Sequence, residues 1–393
     1  MPRKAARSTR RRRRVCFVTG TRAEFGLMRT TLEAIRAHPK LELQLIVTGM
    51  HLDATRGSTI RQIYDEGWTV DRVVPWPAPK SEADNAWWTG VGMGCLGRAI
   101  AKLKSDVVLV VGDRVEAFAA AAAGHLAGKV VAHVHGGDRA LGQVDDSLRH
   151  AITKLAHVHF PATAHSATRI RRLGEDPSRI HRVGTPGLDD VIAHLRSAAA
   201  SRRKQKLAVI LLHPIDADTR AEYEWARRVF RAVESIPFER VVVISPNNDP
   251  GADGIDRCWI DQMHQSRFEL VPNLDRAEFL GLLHDAAVLV GNSSSGIIEA
   301  ASFGTPVIDV GPRQHGRERS DNVTNVPYSE AAIRTELKRI WNGGRPRRYS
   351  GRNVYAAPPS DNSRKGLTTG QRIATVLAGP RLGAGTTRKL ITY

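Results

Sequence analysis

Short apolar and β-branched runs alternate along this chain with longer stretches in which apolar residues recur every three or four positions. Residues 15–19, 43–48, 106–111 and 130–134 read as strands, and 72–75 as a shorter one. The runs 106–111 and 130–134 are almost wholly apolar, as parallel strands covered on both faces are. Residues 157–161 and 180–183 complete a first series, and 187–205 reads as helix and then polar linker. The pattern restarts with strands at 207–212, 240–245, 268–271, 288–290 and 307–310 and helices around 221–235, 276–284 and 297–303. Repeated strand–helix units build parallel sheets with right-handed crossovers. The expected fold class is therefore α/β, with two Rossmann-like domains, 15–188 and 206–342, facing across a cleft. Residues 343–380 read as an irregular segment and a closing helix (369–377), 1–14 as a basic disordered tail and 381–393 as a second tail.

Composition narrows the class. The 393 residues suit two domains of roughly 100–200 residues each, and 41% hydrophobic with 25% charged residues is a globular balance. No apolar stretch approaches the roughly 20 residues that span a bilayer. The run after the basic N-terminus is too short for a signal-peptide core. A cytoplasmic protein with no membrane partner is expected. Cys16, Cys95 and Cys258 show no metal or disulfide spacing and read as buried free thiols. The net charge of +18 suggests nucleic acid, but eight of the positive charges lie in residues 1–14 with no acid among them. That segment reads as a solvated tail or as an arm touching polyanions. Nucleic acid is not expected as the partner of the folded part.

Gly92-Met93-Gly94-Cys95-Leu96-Gly97 matches a dinucleotide fingerprint. The fingerprint needs a strand before it, and here the stretch from 85 onward reads as one helix, so the glycines suit helix packing better. Phosphate loops are expected where strands end. Gly20-Thr21-Arg22 joins a strand to a helix, whose first amides favour an anion, and Arg22 could add a bidentate contact; a plain turn with a surface arginine is the other reading. Gly291-Asn292-Ser293-Ser294-Ser295-Gly296 follows a strand and opens a helix carrying Glu299. A serine N-cap accounts for one serine. A diphosphate cradle accounts for all three serines and both glycines, with Glu299 placed to accept ribose hydroxyls.

The chain resembles the hydrolysing UDP-N-acetylglucosamine 2-epimerases over roughly residues 14–319. The blocks that carry the resemblance are Val18-Thr19-Gly20-Thr21-Arg22-Ala23-Glu24, Ile46-Val47-Thr48-Gly49-Met50-His51-Leu52, Val111-Gly112-Asp113-Arg114, Asp145-Asp146-Ser147-Leu148-Arg149-His150-Ala151-Ile152-Thr153-Lys154-Leu155, and the Gly291 run ending in Arg313-Gln314-His315-Gly316-Arg317-Glu318. The resemblance implies a glycosyltransferase-B-like fold that binds a UDP-sugar, in a homodimer or homotetramer; no cofactor is expected, and with no cysteine or fixed third ligand near His133 and His135 no metal is expected either. It implies ligand contacts from Arg22, Arg114, His213, Asn247, Ser293, Ser294, Glu299 and Arg313.

Catalytic roles follow from it for Asp113, His135, Asp145 and His213. For Asp145 and Asp146, helix capping stands beside catalysis as a reading. The reaction implied is loss of the C2 proton with departure of UDP, then addition of water to the glycal. The products are UDP and N-acetylmannosamine or a 2,4-diacetamido-trideoxy analogue, for nonulosonic or sialic acid synthesis. In the family the strand after Arg114 ends His-Ile-Glu-Gly-Gly-Glu with a catalytic first Glu. Here it reads His133-Val134-His135-Gly136-Gly137-Asp138, so His135 takes that place. Histidine can still serve as acid or base. A non-hydrolysing epimerase and a glycosyltransferase using a UDP-sugar are the alternatives.

Overall fold

The computed structural model describes residues 11–53, 59–76, 82–139, 144–197, 206–246, 249–272, 274–359, 366–382 and 385–392. The chain divides into two compact units: residues 1–138, 142–189 and 357–393 form the first, and 139–141 with 190–356 the second.

The first unit runs β1 (Arg13–Thr19), α1 (Arg22–Ala37), β2 (Leu41–Val47), α2 (Ile60–Asp65), β3 (Arg72–Val73), α3 (Glu82–Leu103), β4 (Val107–Val111), α4 (Val115–Leu126), β5 (Val130–Val134), α5 (Val144–Leu155), β6 (Val158–Phe160) and α6 (Ala164–Arg172). Helix α7 (Leu188–Ser197) carries the chain onward. The second unit contains β7 (Leu207–Leu211), α8 (Thr219–Glu234), β8 (Arg240–Ile244), α9 (Ala252–Gln262), β9 (Phe268–Val271), α10 (Arg276–Asp285), β10 (Val288–Gly291), α11 (Ser294–Ile298), α12 (Ala300–Phe303), β11 (Val307–Val310), β12 (Val323–Val326) and α13 (Glu330–Trp341). The chain then returns to the first unit with α14 (Thr369–Ala378).

Both sheets are six-stranded and parallel, in the orders β3-β2-β1-β4-β5-β6 and β12-β11-β10-β7-β8-β9. This is the doubly wound α/β fold, once per unit. Strand β1 sends Val15 and Phe17 to one apolar core and Cys16 and Val18 to the other, all buried. In each sheet the strand order reverses once, between β1 and β4 and between β7 and β10. Ligands of open α/β sheets settle beyond the strand ends at such a point.

Several local expectations change. Arg13 and Arg14 belong to β1 rather than to a tail: Arg13 donates to Leu377 and Leu382 carbonyls, and the Arg14 amide donates to Asp106 at 2.8 Å. Residues 180–183 form only an isolated bridge, Ile180 to His159. The helix expected at 297–303 is two short helices that meet at Glu299. Strand β12 and helices α9 and α13 were not expected. The end of the chain, read as a tail, lies against the first unit, where Lys389 pairs with buried Glu175 at 2.7 Å. Helix α14 is capped from a distance, since Asp189 accepts from the amides of Thr369 (2.8 Å) and Gly370 (2.9 Å). The three cysteines are free, but Cys95 is only partly buried. The Gly92–Gly97 stretch lies inside α3, where a Cβ on Gly92 would come within 2.2 Å of the Trp76 ring.

Candidate functional site

In the second unit, β7 and β10 run side by side with Gly291 opposite Leu211. A Cβ on Gly291 would lie 1.9 Å from the Leu211 carbonyl, so only glycine lets the strands approach here. The next residue, Asn292, is fully buried and clamps the chain beyond β7. Its Oδ1 accepts from the His213 amide at 2.7 Å, and its Nδ2 donates to the His213 carbonyl at 2.8 Å. The Asn292 carbonyl accepts from Arg313 Nη1 at 3.3 Å and Gln314 Nε2 at 2.8 Å. One asparagine therefore gathers His213 and Arg313 beside Ser293. Ser293 caps α11 and shares a 2.7 Å hydrogen bond with the Ser295 hydroxyl, while Ser294 is half-buried.

Glu299 sits at the break between α11 and α12. Its Oε1 accepts from Arg276 Nη1 at 2.7 Å, and its buried Oε2 has no hydrogen-bond partner among the described residues. Burial pushes the Glu299 carboxyl pKa up, and Arg276 opposes that shift. A buried acceptor without a partner costs free energy unless a ligand donates to it. One oxygen is thus anchored, and the other is a buried acceptor with no partner among the described residues.

In the first unit, Asp113 and Arg114 lie beyond β4. Arg149, on α5 and almost wholly buried, donates to Asp113, to Asp146 Oδ1 at 2.6 Å and to the Asp138 carbonyl at 3.1 Å. Arg114 lies on Glu116 through two bonds, Nε to Oε2 at 3.1 Å and Nη2 to Oε1 at 3.2 Å. Glu116 occupies the space a side chain would need at Gly20 or Gly49: a Cβ there would lie 2.9 and 2.6 Å from its carboxylate. Glu24 accepts from the Gly20 and Thr21 amides at 2.8 and 3.0 Å. Burial, then the neighbouring Glu116, push its carboxyl up to about 7. Arg22 opens α1 and is exposed.

His135 follows β5 with φ +63° and is 9% exposed. A non-glycine residue held in that left-handed region costs about 1–3 kcal/mol and persists where its surroundings over-determine it. Its Nδ1 lies 2.7 Å from Asp138 Oδ2 and its Nε2 2.8 Å from Thr185 Oγ1. His133, on β5, is fully buried, with Nε2 on the Gly112 carbonyl at 2.8 Å. Burial pushes its pKa down to about 3. Asp113 and His135 are thus linked through Arg149 and Asp138.

Asn247 lies outside the described residues, and so does the side chain of Asp145, whose backbone belongs to α5. Sequence reasoning missed Glu116, Arg276 and Thr185. Glu116 stands two residues after Arg114, but Arg276 and Thr185 reach their partners only through the fold. Among the described residues no cluster of three or more His, Cys, Asp or Glu could hold a metal ion. No helix among them is long and apolar enough to cross a membrane.

The fold and these clusters define a doubly wound α/β protein with polar groups gathered at the switch point of each sheet. A family profile described as UDP-N-acetylglucosamine 2-epimerase matches residues 33–363, and the chain belongs to that family. It is 35% identical over 339 residues to the UDP-N,N'-diacetylbacillosamine 2-epimerase (hydrolyzing) of Legionella pneumophila, covering 84% of this chain and 89% of that one. It is 31% identical to the UDP-N-acetylglucosamine 2-epimerase of Neisseria meningitidis over 94% of this chain and 96% of that one. Its fold is similar to that of the Methanocaldococcus jannaschii UDP-GlcNAc 2-epimerase in complex with UDP-GlcNAc and UDP. The TM-score is 0.71 at 16% identity, over 93% of this chain and 99% of that one.

Proposed function

We propose that this epimerase-family member is of the hydrolysing type and converts a UDP-2-acetamido sugar and water into UDP and the free 2-epimer. The substrate is UDP-N-acetylglucosamine or a 2,4-diacetamido-trideoxy relative, and the product feeds nonulosonic acid synthesis. The observation that carries nucleotide binding is the Glu299 carboxylate, anchored by Arg276 on one oxygen and, on the other, buried with no hydrogen-bond partner among the described residues. The name of the Legionella relative supports the hydrolysing type and the trideoxy sugar.

Each unit contributes a distinct set of groups. In the second, Ser293, Ser294, His213 and Arg313 take the diphosphate, Glu299 takes the ribose hydroxyls, and Asn247 adds a polar contact. In the first, Arg22 and Arg114 contribute positive charge, while Asp113, His135 and Asp145 handle protons. The C2–H bond breaks, its electron pair forms the C1=C2 bond, and the C1–O bond breaks as UDP leaves. Positive groups stabilise the departing diphosphate. Water then adds OH to C1 and a proton to C2 from the opposite face, with positioned acids and bases moving the protons. We place the enzyme in the cytoplasm as a homodimer or homotetramer.

Incubation with each sugar nucleotide, followed by separation of products, tests the proposal. Free 2-epimer with UDP supports it. Intact UDP-N-acetylmannosamine would instead mark a non-hydrolysing epimerase, the reading that the name of the Neisseria relative leaves open.

A further inference from the structure

His135 replaces a carboxylate, yet a carboxylate stands directly behind it. Asp138 Oδ2 lies 2.7 Å from His135 Nδ1. A carboxylate oxygen accepts, so Nδ1 carries the hydrogen, and in the neutral ring Nε2 presents its lone pair. The Thr185 hydroxyl, 2.8 Å away, donates to that lone pair. Asp138 is itself fixed on every side. Its Oδ1 accepts from the Ser166 hydroxyl at 2.7 Å, its carbonyl accepts from Arg149 at 3.1 Å, and the adjacent Gly137 carbonyl accepts from Arg169. A Cβ on Gly137 would lie 2.3 Å from the Ser166 carbonyl, so the turn that brings Asp138 back to His135 needs glycine there. Among the described residues, the charged and titratable groups around the pair include His133 on β5, Arg149 on α5, Arg169 on α6, and Asp113 and Asp146 through Arg149.

We propose that Asp138 is the positioning residue that makes His135 the acceptor of the C2 proton. The inference rests on the hydrolysing-epimerase reading. When the C2–H bond breaks and UDP leaves with the electron pair of the C1–O bond, the proton goes to Nε2. The Thr185 hydroxyl, which donates to bare Nε2, turns and accepts from the protonated ring. The imidazolium then has a partner on each nitrogen and a carboxylate beside its new charge. A neutral histidine can thereby stand in for a glutamate base, because the negative charge sits one residue behind the base rather than on it. Orienting an imidazole by a carboxylate fixes which nitrogen is the base.

The test uses full-length protein labelled with [15N]histidine, whose NMR spectrum reads the His135 tautomer. Turnover is followed by UDP release and by deuterium at C2 in D2O. Wild type is expected to carry the hydrogen on Nδ1. Asp138→Asn should lose that preference, drop kcat by about 100-fold and leave KM within about threefold, since positioned proton transfer contributes about that factor. Its affinity for UDP should match wild type. Asp138→Glu should recover about tenfold of the loss. Thr185→Val should keep the Nδ1–H tautomer and lower kcat by about tenfold; it carries the test should Asp138→Asn not fold.

An unchanged tautomer in Asp138→Asn, a kcat within about threefold of wild type, or a loss confined to KM overturns the proposal. So does a changed tautomer in Thr185→Val. The functional reading fails separately, on wild type alone, if no free 2-epimer forms; the tautomer result stands apart from that outcome.

Discussion

Arg276 holds one oxygen of Glu299 at 2.7 Å and leaves the other buried with no partner among the described residues. Burial raises the pKa of this carboxyl, and the ion pair with Arg276 opposes that shift. It also aims the second oxygen. A ligand hydroxyl that donates to it gains a hydrogen bond to a charged acceptor, worth about 1.5–3 kcal/mol.

Glu299→Gln should therefore weaken UDP binding by roughly 10- to 100-fold, since each 1.4 kcal/mol is tenfold. The amide keeps the shape but loses the charge. Isothermal titration with UDP checks this, with thermal melting as the control for folding. UDP affinity equal to wild type would remove Glu299 from the site.

His133 provides a pH signature of the first unit. Burial holds its pKa near 3, against 6.5 for the unburied ring. The folded state keeps it neutral while the unfolded chain binds the proton. Its contribution to stability is thus complete above about pH 6.5 and is lost as pH falls from there toward 3, at about 1.4 kcal/mol per unit. His133→Gln cannot titrate. The stability gap between wild type and this variant should narrow by about 2 kcal/mol between pH 6.5 and pH 5. Urea unfolding at the two values measures it; a constant gap would show that burial does not govern this histidine.

The end of the chain should matter to stability. Lys389 pairs with Glu175, which is 2% exposed, and donates to the carbonyls of Lys154 and Ala156 at the end of α5. Lys154 and His159 also contact Glu175. Removing one cation from such a buried cluster leaves the rest under-compensated. Lys389→Met should cost about 2 kcal/mol, read as a lower urea midpoint. A midpoint at the wild-type value would mean that the segment rests on the surface without stabilising it.

The strands that carry the sites were legible because they are short, apolar and buried on both faces: 107–111, 130–134, 207–211 and 288–291 all stand out. Strand β12 was not. It lies at the sheet edge and reads Val-Thr-Asn-Val, and its Asn325 bonds to the carbonyls of Asp309 and Gly311 rather than adding apolar surface. Helix α13 has only three buried apolar residues, Ile333, Leu337 and Ile340, so its signal is thin.

For the site, the blocks around Gly20, Gly112 and Gly291 announced themselves through strand ends and small residues. The partners that orient them did not. Arg276 meets Glu299 across 23 positions. Thr185 meets His135 across 50. Asn292 was in view within the glycine–serine run, but its grip on His213 needs β7 and β10 to be neighbours, which only the sheet order supplies.

The most direct measurement is NMR analysis of the products formed in D2O. A hydrolysing epimerase that removes the C2 proton should release UDP and a free sugar of inverted C2 configuration carrying deuterium at that carbon. A free sugar that keeps its original proton at C2, or a product still attached to UDP, would contradict the proposed reaction.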